Sequence, residues 1–279
     1  MNILITGAGG FIGTHLYNHM KSAHCITRIF SPSQPAGKQN SYSVDLTKNN
    51  KVETLIQELS KTKYDCVIHL ASKMASKNNI EKMSIFKMNV DMIENMVFLI
   101  KRLKPEVVIH FSSMATYANV SGLFSETSLP MPQNNQDCLY GLSKFASEVI
   151  LDFLLRDGDI RIVHLRVAQV YGEGMRQDRI IPVMRKELDE KNTITVYGNG
   201  ERQSCFIRID KLLESVDYFV QNKVDGVYNV GHKNLSYVDL AENIVKKFGN
   251  KESTIIKKAH GNKKKFNLDI SKLQKMIEL

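Results

Sequence analysis

A chain of 279 residues with 43% hydrophobic content is long enough to bury a substantial core as one large or two modest domains. Its longest apolar runs, such as EVVIHF, are far too short to span a bilayer, and its start lacks the basic flank and cleavage site of a signal peptide. The expectation is a cytoplasmic globular protein with no membrane partner. The formal charge of +9, from 38 Lys and Arg against 29 Asp and Glu, is spread along the chain and clusters only at Lys263, Lys264 and Lys265. It admits an anionic ligand, but without a basic stripe and interleaved aromatics it argues against a nucleic-acid binder.

In chain order, NILIT reads as a strand, FIGTHLYNHMK as a helix and CITRIF as a second strand. YSV, the helix NNKVETLIQELSKT and the strand CVIHLA follow, then a long helix predicted near Ile80 to Leu103 and the strand EVVIHFSS. A helix over Cys138 to Leu155 precedes the strand IRIVHLRVA. Alternating strands and helices with near-continuous apolar strands predict an α/β fold, a doubly wound parallel (Rossmann) sheet with helices on both faces. After about residue 170 turn-rich pieces such as YGEGMRQDR break the rhythm. The expected division is a dinucleotide-binding domain over 1–170, with 205–230 returning to it, and a smaller, partly discontinuous substrate lobe over 171–204 and 231–279. The four cysteines, Cys25, Cys66, Cys138 and Cys205, have no paired spacing, so neither a metal site nor a disulfide framework is expected.

Gly7, Gly10 and Gly13 stand directly behind the first strand and at the start of the first helix. There a helix amino end attracts phosphate, and a pyrophosphate approaches only where side chains are missing. Glycine at 7 suits the tight turn, at 10 the close approach and at 13 the packing of helix on strand. That context points to a bound dinucleotide.

The segment TGAGGFIG, with Phe11 and Ile12 inside it, resembles the TGxxGFIG fingerprint of the extended short-chain dehydrogenases/reductases. That family contains nucleotide-sugar epimerases, dehydratases and reductases. The match runs along nearly the whole chain. Asp45 in VDL, with Leu46 beside it, resembles the aspartate that hydrogen-bonds adenine. Leu70, Ala71 and Ser72 in VIHLAS resemble the segment lining the cofactor, and Asn89 matches an asparagine of the next helix. FSSMATYA resembles SSxxVYG, YGLSK is YxxxK, LRVAQVYGEG resembles LRxxNVYGPG, ITVYGNGE resembles IxVYGDGE, and GVYNVG matches outright.

Tyr140 and Lys144, four apart on a predicted helix, project from one face. A lysine cation near a phenol is expected to lower its pKa, so that Tyr140 exchanges a proton with a sugar hydroxyl. The resemblance implies that hydride then moves between that carbon and nicotinamide, and that Lys144 also holds cofactor ribose. Ser113 is the expected third catalytic member, orienting the reacting oxygen, with Ser112 and Thr116 as alternatives.

Four departures bear on the reaction. Met114 and Ala115 stand where 4,6-dehydratases carry an acid–base Asp-Glu pair, which disfavours dehydration. Ser31, with Arg28, Ser33 and Lys38 nearby, stands where an acid would hold the ribose of NAD, so NADP is admissible beside NAD. Gln169 replaces a usual Asn near the substrate. Ser204 and Cys205 replace an Arg-Asp pair that grips the nucleotide diphosphate; Arg202 or Arg208 could substitute, as could Arg176 or Arg179. Cys205 itself reads as a buried thiol rather than a nucleophile.

The expected activity is an NAD(P)-dependent epimerase acting on a nucleotide-linked sugar through a keto-sugar, with an NADPH-dependent keto-sugar reductase as the alternative. A non-catalytic dinucleotide-binding regulator is a third, weaker reading. Apolar residues on more than one face of two helices (Met88, Met92, Ile93, Met96, Val97 and Leu99; Leu142, Phe145, Val149, Ile150, Phe153 and Leu154) suggest a second buried contact, and the resemblance implies a homodimer.

Overall fold

The computed structural model describes residues 1–34, 36–37, 39–76 and 79–278. The first half runs β1 (Asn2–Thr6), α1 (Phe11–Met20), β2 (Cys25–Phe30), β3 (Ser41–Ser43), α2 (Asn49–Leu59), β4 (Cys66–His69), α3 (Ser84–Leu103), β5 (Val107–Phe111), β6 (Gly122–Phe124), α4 (Cys138–Leu155) and β7 (Arg161–Val167). The second half runs β8 (Gln169–Tyr171), α5 (Ile180–Lys191), β9 (Thr193–Tyr197), β10 (Gln203–Arg208), α6 (Ile209–Gln221), β11 (Gly226–Val230), β12 (Lys233–Ser236), α7 (Tyr237–Phe248), β13 (Thr254–Lys258), β14 (Phe266–Leu268) and α8 (Ser271–Gln274).

Seven strands form one sheet in the order β3-β2-β1-β4-β5-β7-β11, every pairing parallel. Parallel neighbours need crossover helices, and helices on both faces bury the strands on both sides. Ile3 and Ile5 pack with α1 and α6, whereas Leu4 between them packs with α2, α3 and α4. This period-2 division is why the strands read as unbroken apolar runs. The strand order reverses between β1 and β4, and in such sheets ligands bind outside the carboxyl ends of the strands at that point. The remaining strands make three small sheets, β12-β10-β8, β13-β9 and β14-β6; β9 and Phe206 of β10 pack in a separate apolar cluster with Met184 and Leu240, whereas Phe266 and Leu268 of β14 join the main core.

The long helix α3 starts at Ser84, later than the pattern predicts. The Asn79 side-chain oxygen accepts from the Ser76 N–H at 2.7 Å and the Ser76 hydroxyl at 2.9 Å, holding a turn that competes with helix. The wide apolar stripe of α3 is largely spent inside the subunit. Met92, Ile93, Met96, Val97 and Leu99 are buried, and Phe98 is its exposed large apolar side chain. On α4, Leu142, Val149, Phe153 and Leu154 are exposed.

Candidate active site

The turn between β1 and α1 is built from backbone. Gly7 has φ +70°, and a Cβ there would sit 2.7 Å from the Ala71 nitrogen at the end of β4. A Cβ on Gly13 would lie 2.4 Å from the Gly7 carbonyl oxygen, so α1 reaches the turn only without one. Gly10 differs. It is exposed, and its Cβ would meet nothing nearer than that same oxygen at 3.3 Å. The space over it belongs to a cavity of about 220 Å³ lined by Gly9, Gly10, Phe11, Thr14, His15 and Gly174. The residues present therefore fit a pyrophosphate: a side-chain-free helix amino end facing an open cavity.

Opposite this turn, α4 carries Tyr140 and Lys144, both buried at 7% and 4% exposure. The Lys144 ammonium donates to the Phe111 carbonyl at 2.7 Å, at the end of β5. A feature the sequence reading passed over is Gly141. A Cβ there would lie 2.1 Å from the Ala115 carbonyl oxygen, so α4 closes onto the 3₁₀ turn Met114–Thr116 only because position 141 is glycine. That contact brings Tyr140 to Ser113, which begins the turn and accepts from the Ala115 N–H at 3.1 Å. The other two hydroxyls point elsewhere. Ser112 donates to the Glu148 carboxylate, and Thr116 donates to the Ser113 carbonyl at 3.0 Å.

The electrostatics correct one expectation. The Tyr140 phenol lies above its ordinary value, pushed up to about 12 by burial and then by Asp137, while hydrogen bonding from Ser113 and Ser72 and the Arg179 charge pull it down. Lys144, committed to Phe111, does not depress it. Burial drives the Lys144 ammonium down to about 8, opposed by Glu148. The phenol at neutral pH is an acid, and the ammonium beneath it is readily deprotonated.

The other predicted positions fall into three groups. Leu70 and Ala71, half-buried, follow β4 against Gly7, with Ser72 next to Tyr140. Asn89 is buried and clamps the strand end: its oxygen accepts from the Lys73 N–H at 2.7 Å, and its amide donates to Ser143 at 2.8 Å on α4. Asp45 accepts from the Thr47 N–H at 3.0 Å and hydroxyl at 2.7 Å, and buried Leu46 has its carbonyl held by Asn95 at 2.8 Å.

At the end of β2, Ser31 is exposed and bonded to Ser33 at 3.0 Å; Gln34, absent from the sequence reading, reaches back to the Gly9 carbonyl at 3.0 Å. Arg28 turns away to lie 4.0 Å over the Tyr17 ring, while Lys38 lies outside the described residues.

On the opposite wall two departures prove to be partners, Gln169 donating to Ser204 at 2.8 Å across the β8–β10 pairing. Cys205 is buried and its thiol is pushed up to about 12 by that burial. Among the candidate arginines, Arg176 and Arg208 pair with Asp178 and Asp210, and Arg202 lies 4.9 Å over the Tyr237 ring. Arg179, exposed at the amino end of α5, is the one whose charge reaches Tyr140.

The profile of the NAD dependent epimerase/dehydratase family matches residues 3–231. The chain is 28% identical over 253 residues to the dTDP-4-dehydro-6-deoxyglucose reductase of Escherichia coli, covering 82% of this chain and 76% of that one. Among solved structures, UDP-glucuronic acid 4-epimerase from Bacillus cereus, in complex with UDP-glucuronic acid and NAD, superposes with TM-score 0.78 at 26% identity, over 100% of this chain and 93% of its own. UDP-N-acetylglucosamine 4-epimerase from Methanobrevibacter ruminantium gives TM-score 0.82 at 22% identity, over 99% and 91%. A profile that spans the glycine turn, the YxxxK helix and the returning strand β11 identifies the chain as a member of the NAD-dependent epimerase/dehydratase family, of the extended short-chain dehydrogenase/reductase type.

Proposed function

We propose that the protein is an NAD(P)-dependent epimerase that acts on a nucleotide-linked sugar through a keto-sugar. The observation that supports this most is the meeting of Tyr140, Ser113 and Lys144 at the carboxyl end of the sheet, on the same edge as a helix amino end stripped of side chains. When bound, the dinucleotide supplies hydride acceptance and return and, in its oxidised form, a positive charge. Gly7, Gly10 and Gly13 leave room for its pyrophosphate, with Phe11, Ile12, Ser31, Asp45, Leu46, Leu70, Ala71, Ser72 and Asn89 shaping the rest of the cradle. Ser113 orients the sugar oxygen. Tyr140 takes the hydroxyl proton in the oxidising half and gives one to the ketone in the reducing half, and Lys144 holds positive charge below it. Gln169 and Arg202 remain on the substrate side, with Arg179 the best-placed guanidinium for an anionic group. The cofactor side would be residues 1–170 with 205–230, and the substrate side 171–204 with 231–279.

The alternative, an NADPH-dependent keto-sugar reductase, draws on two observations. The Ser31–Ser33–Gln34 cluster offers hydroxyls rather than a carboxylate to a 2′-phosphate, and a phenol held near 12 is ready to donate. Releasing and identifying the cofactor of the purified protein separates the two. Tightly held NAD supports the epimerase; an empty site that fills with NADPH overturns it for the reductase.

The exposed Leu142, Val149, Phe153 and Leu154 of α4, with Phe98 of α3, support a homodimer joined through these helices. Sedimentation at micromolar concentration should show twice the 31.7 kDa chain mass.

A further inference from the structure

The strand β7 carries an arginine into the interior, and the helix α4 carries a glutamate to meet it. Arg166 and Glu148 are 4% and 3% exposed and form a two-pronged ion pair, with Nε donating to one carboxylate oxygen at 3.0 Å and Nη2 to the other at 2.7 Å. Taking both charges out of water is costly, and an apolar pair of similar volume is often as stable. Stability alone therefore does not account for the pair.

Each charge reaches one further side chain, and the two side chains flank the turn that bears Ser113. The Glu148 carboxylate accepts from the Ser112 hydroxyl. Arg166 Nη1 donates to the Tyr117 hydroxyl at 2.9 Å and to the Glu126 carbonyl at 3.4 Å, and the Tyr117 hydroxyl in turn donates to the Asn229 side chain on β11 at 2.8 Å. Asn229 is itself held, its amide donating to the carbonyls of Phe124 at 2.9 Å and Asp269 at 3.0 Å. Ser112 and Tyr117 are buried, whereas Ser113 and Met114 between them are half-buried. The one opening in this stretch thus lies between two buried anchors that lead to a single ion pair.

The same pair fixes the helix against the sheet. Tyr140, Lys144 and Glu148 recur every four residues and form one stripe on α4, and three consecutive residues at the end of β5 meet that stripe. The Phe111 carbonyl accepts from the Lys144 ammonium at 2.7 Å, the Ser112 hydroxyl donates to Glu148, and the Ser113 hydroxyl bonds with Tyr140. Ala115, inside the turn, packs with Tyr140, and its carbonyl lies against Gly141. A helix tied at one point can roll or slide on a sheet; tied at two successive turns it keeps its register. The loop before α4 holds the carbonyls of the turn, the Asn135 amide donating to Ala115 at 2.9 Å and the Met131 N–H to Thr116 at 2.9 Å. The side chains at the two ends of the turn are left to the ion pair.

We propose that the Glu148–Arg166 pair is a positioning element of the active site, tying Ser112 and Tyr117 at the two ends of the turn so that Ser113 stays against Tyr140. The proposal rests on the catalytic reading of Ser113 and Tyr140 given above, while the contact that the pair fixes exists without substrate. Being buried, Glu148 and Arg166 act only through Ser113 and the placement of α4, so the aim of the reacting groups is set by charges that substrate does not touch.

The test is the Tyr140 ¹³Cζ resonance of protein labelled with ¹³Cζ-tyrosine, recorded at neutral pH without substrate and assigned by its loss in Tyr140→Phe. Ser113→Ala sets the scale, because it deletes the hydroxyl beside the phenol. Ser112→Ala cuts the tie through Glu148, and Tyr117→Phe cuts the tie through Arg166; each leaves the ion pair in place. Both should move the Tyr140 signal most of the way to its position in Ser113→Ala, while Tyr64, bonded to Thr27 of β2 at 3.0 Å, keeps its own. Glu148→Leu combined with Arg166→Met leaves no unpaired buried ion and should give the same shift with the fold kept; where it fails to fold, the two hydroxyl variants decide. A pair that only braces the fold would lower the melting temperature of Ser112→Ala and Tyr117→Phe and leave the Tyr140 signal in place, which overturns the proposal. A shift in only one of those two variants, or none in Ser113→Ala, overturns it as well. Tyr140→Phe tests the catalytic reading separately: retained turnover there removes that reading alone, and a dead Tyr140→Phe beside an unmoved Tyr140 signal in Ser112→Ala and Tyr117→Phe rejects the positioning alone.

Discussion

The two halves of the candidate site are made in opposite ways. The turn after β1 is a site by subtraction: Gly7, Gly10 and Gly13 leave backbone N–H groups and open space. The face of α4 is a site by addition, a phenol, an ammonium and hydroxyls pressed into a layer where each needs a partner. Subtraction tolerates no side chain and holds its anion with backbone N–H groups and a helix amino end, none of which titrates. Addition tolerates modest reshaping, but its chemistry is set by burial and by every neighbouring charge.

The largest break in this contrast is expected from Tyr140→Phe. It removes the group proposed to exchange the proton and leaves the glycine turn untouched, so turnover should fall by about 10³-fold or more with dinucleotide affinity unchanged. Calorimetry with NAD and NADP beside an activity assay checks both parts, and activity within a few-fold of the parent would remove Tyr140 from the mechanism. Gly10→Val is the mirror experiment. A side chain there meets little protein but occupies the cavity, so binding of NAD and NADP should be lost while the melting temperature hardly moves. Gly141→Ala sharpens the comparison from the other side. Its Cβ must displace the Ala115 carbonyl, costing about 1–3 kcal/mol of stability and separating Tyr140 from Ser113.

The difference in construction also governs what the sequence made legible. Glycines at three fixed steps behind a strand have few reasons to be there other than a close approach, and the Tyr140–Lys144 spacing is fixed by helix geometry. The direction of the Tyr140 shift was not legible, because it depends on how deeply the phenol is buried, on Asp137 at the start of the same helix and on which carbonyl the lysine finds. Nor was the start of α3, where one Asn79 side chain outweighs the apolar pattern. His69, His110 and His164 did leave a trace: CVIH, VVIH and IVH lie in the buried runs of three neighbouring strands, yet their shared register exists only once the strands are paired. Gln169 and Ser204 were each legible as departures, but their hydrogen bond was not, since 35 residues separate them.

Lys144 gives the fourth expected effect, smaller and tied to pH. Its folded pKa near 8 lies below the ordinary 10.5, so the ammonium opposes folding at neutral pH. Between about pH 8 and 10 the unfolded chain binds the proton more tightly than the folded one, and this group's contribution to stability rises with pH by up to about 1.4 kcal/mol per unit. Below pH 8 both states are charged and the contribution is flat. Urea melts of the parent and Lys144→Met at pH 7, 8.5 and 9.5 should show the parent gaining on the variant as pH rises. A constant difference would mean that the lysine titrates alike in both states.

The smallest effect is expected at the Gln169–Ser204 pair, where the second half of the chain makes its own version of a site by addition. Ser204 is buried and accepts the Gln169 amide at 2.8 Å, while Gln169 itself is half-buried. Ser204→Ala therefore removes one neutral hydrogen bond and lets water reach the freed amide, which limits the loss to about 1 kcal/mol. If the pair is a structural cross-brace of β8 and β10, Gln169→Leu should cost a similar amount and the double variant little more than either alone, leaving a coupling of about 0.5–1 kcal/mol in denaturant melts. If Gln169 instead faces the sugar, Ser204→Ala should raise KM with kcat nearly unchanged, because the freed amide no longer holds its direction. Additive stabilities together with an unchanged KM would show that neither residue depends on the other, and would leave the two departures as unrelated substitutions on adjacent strands.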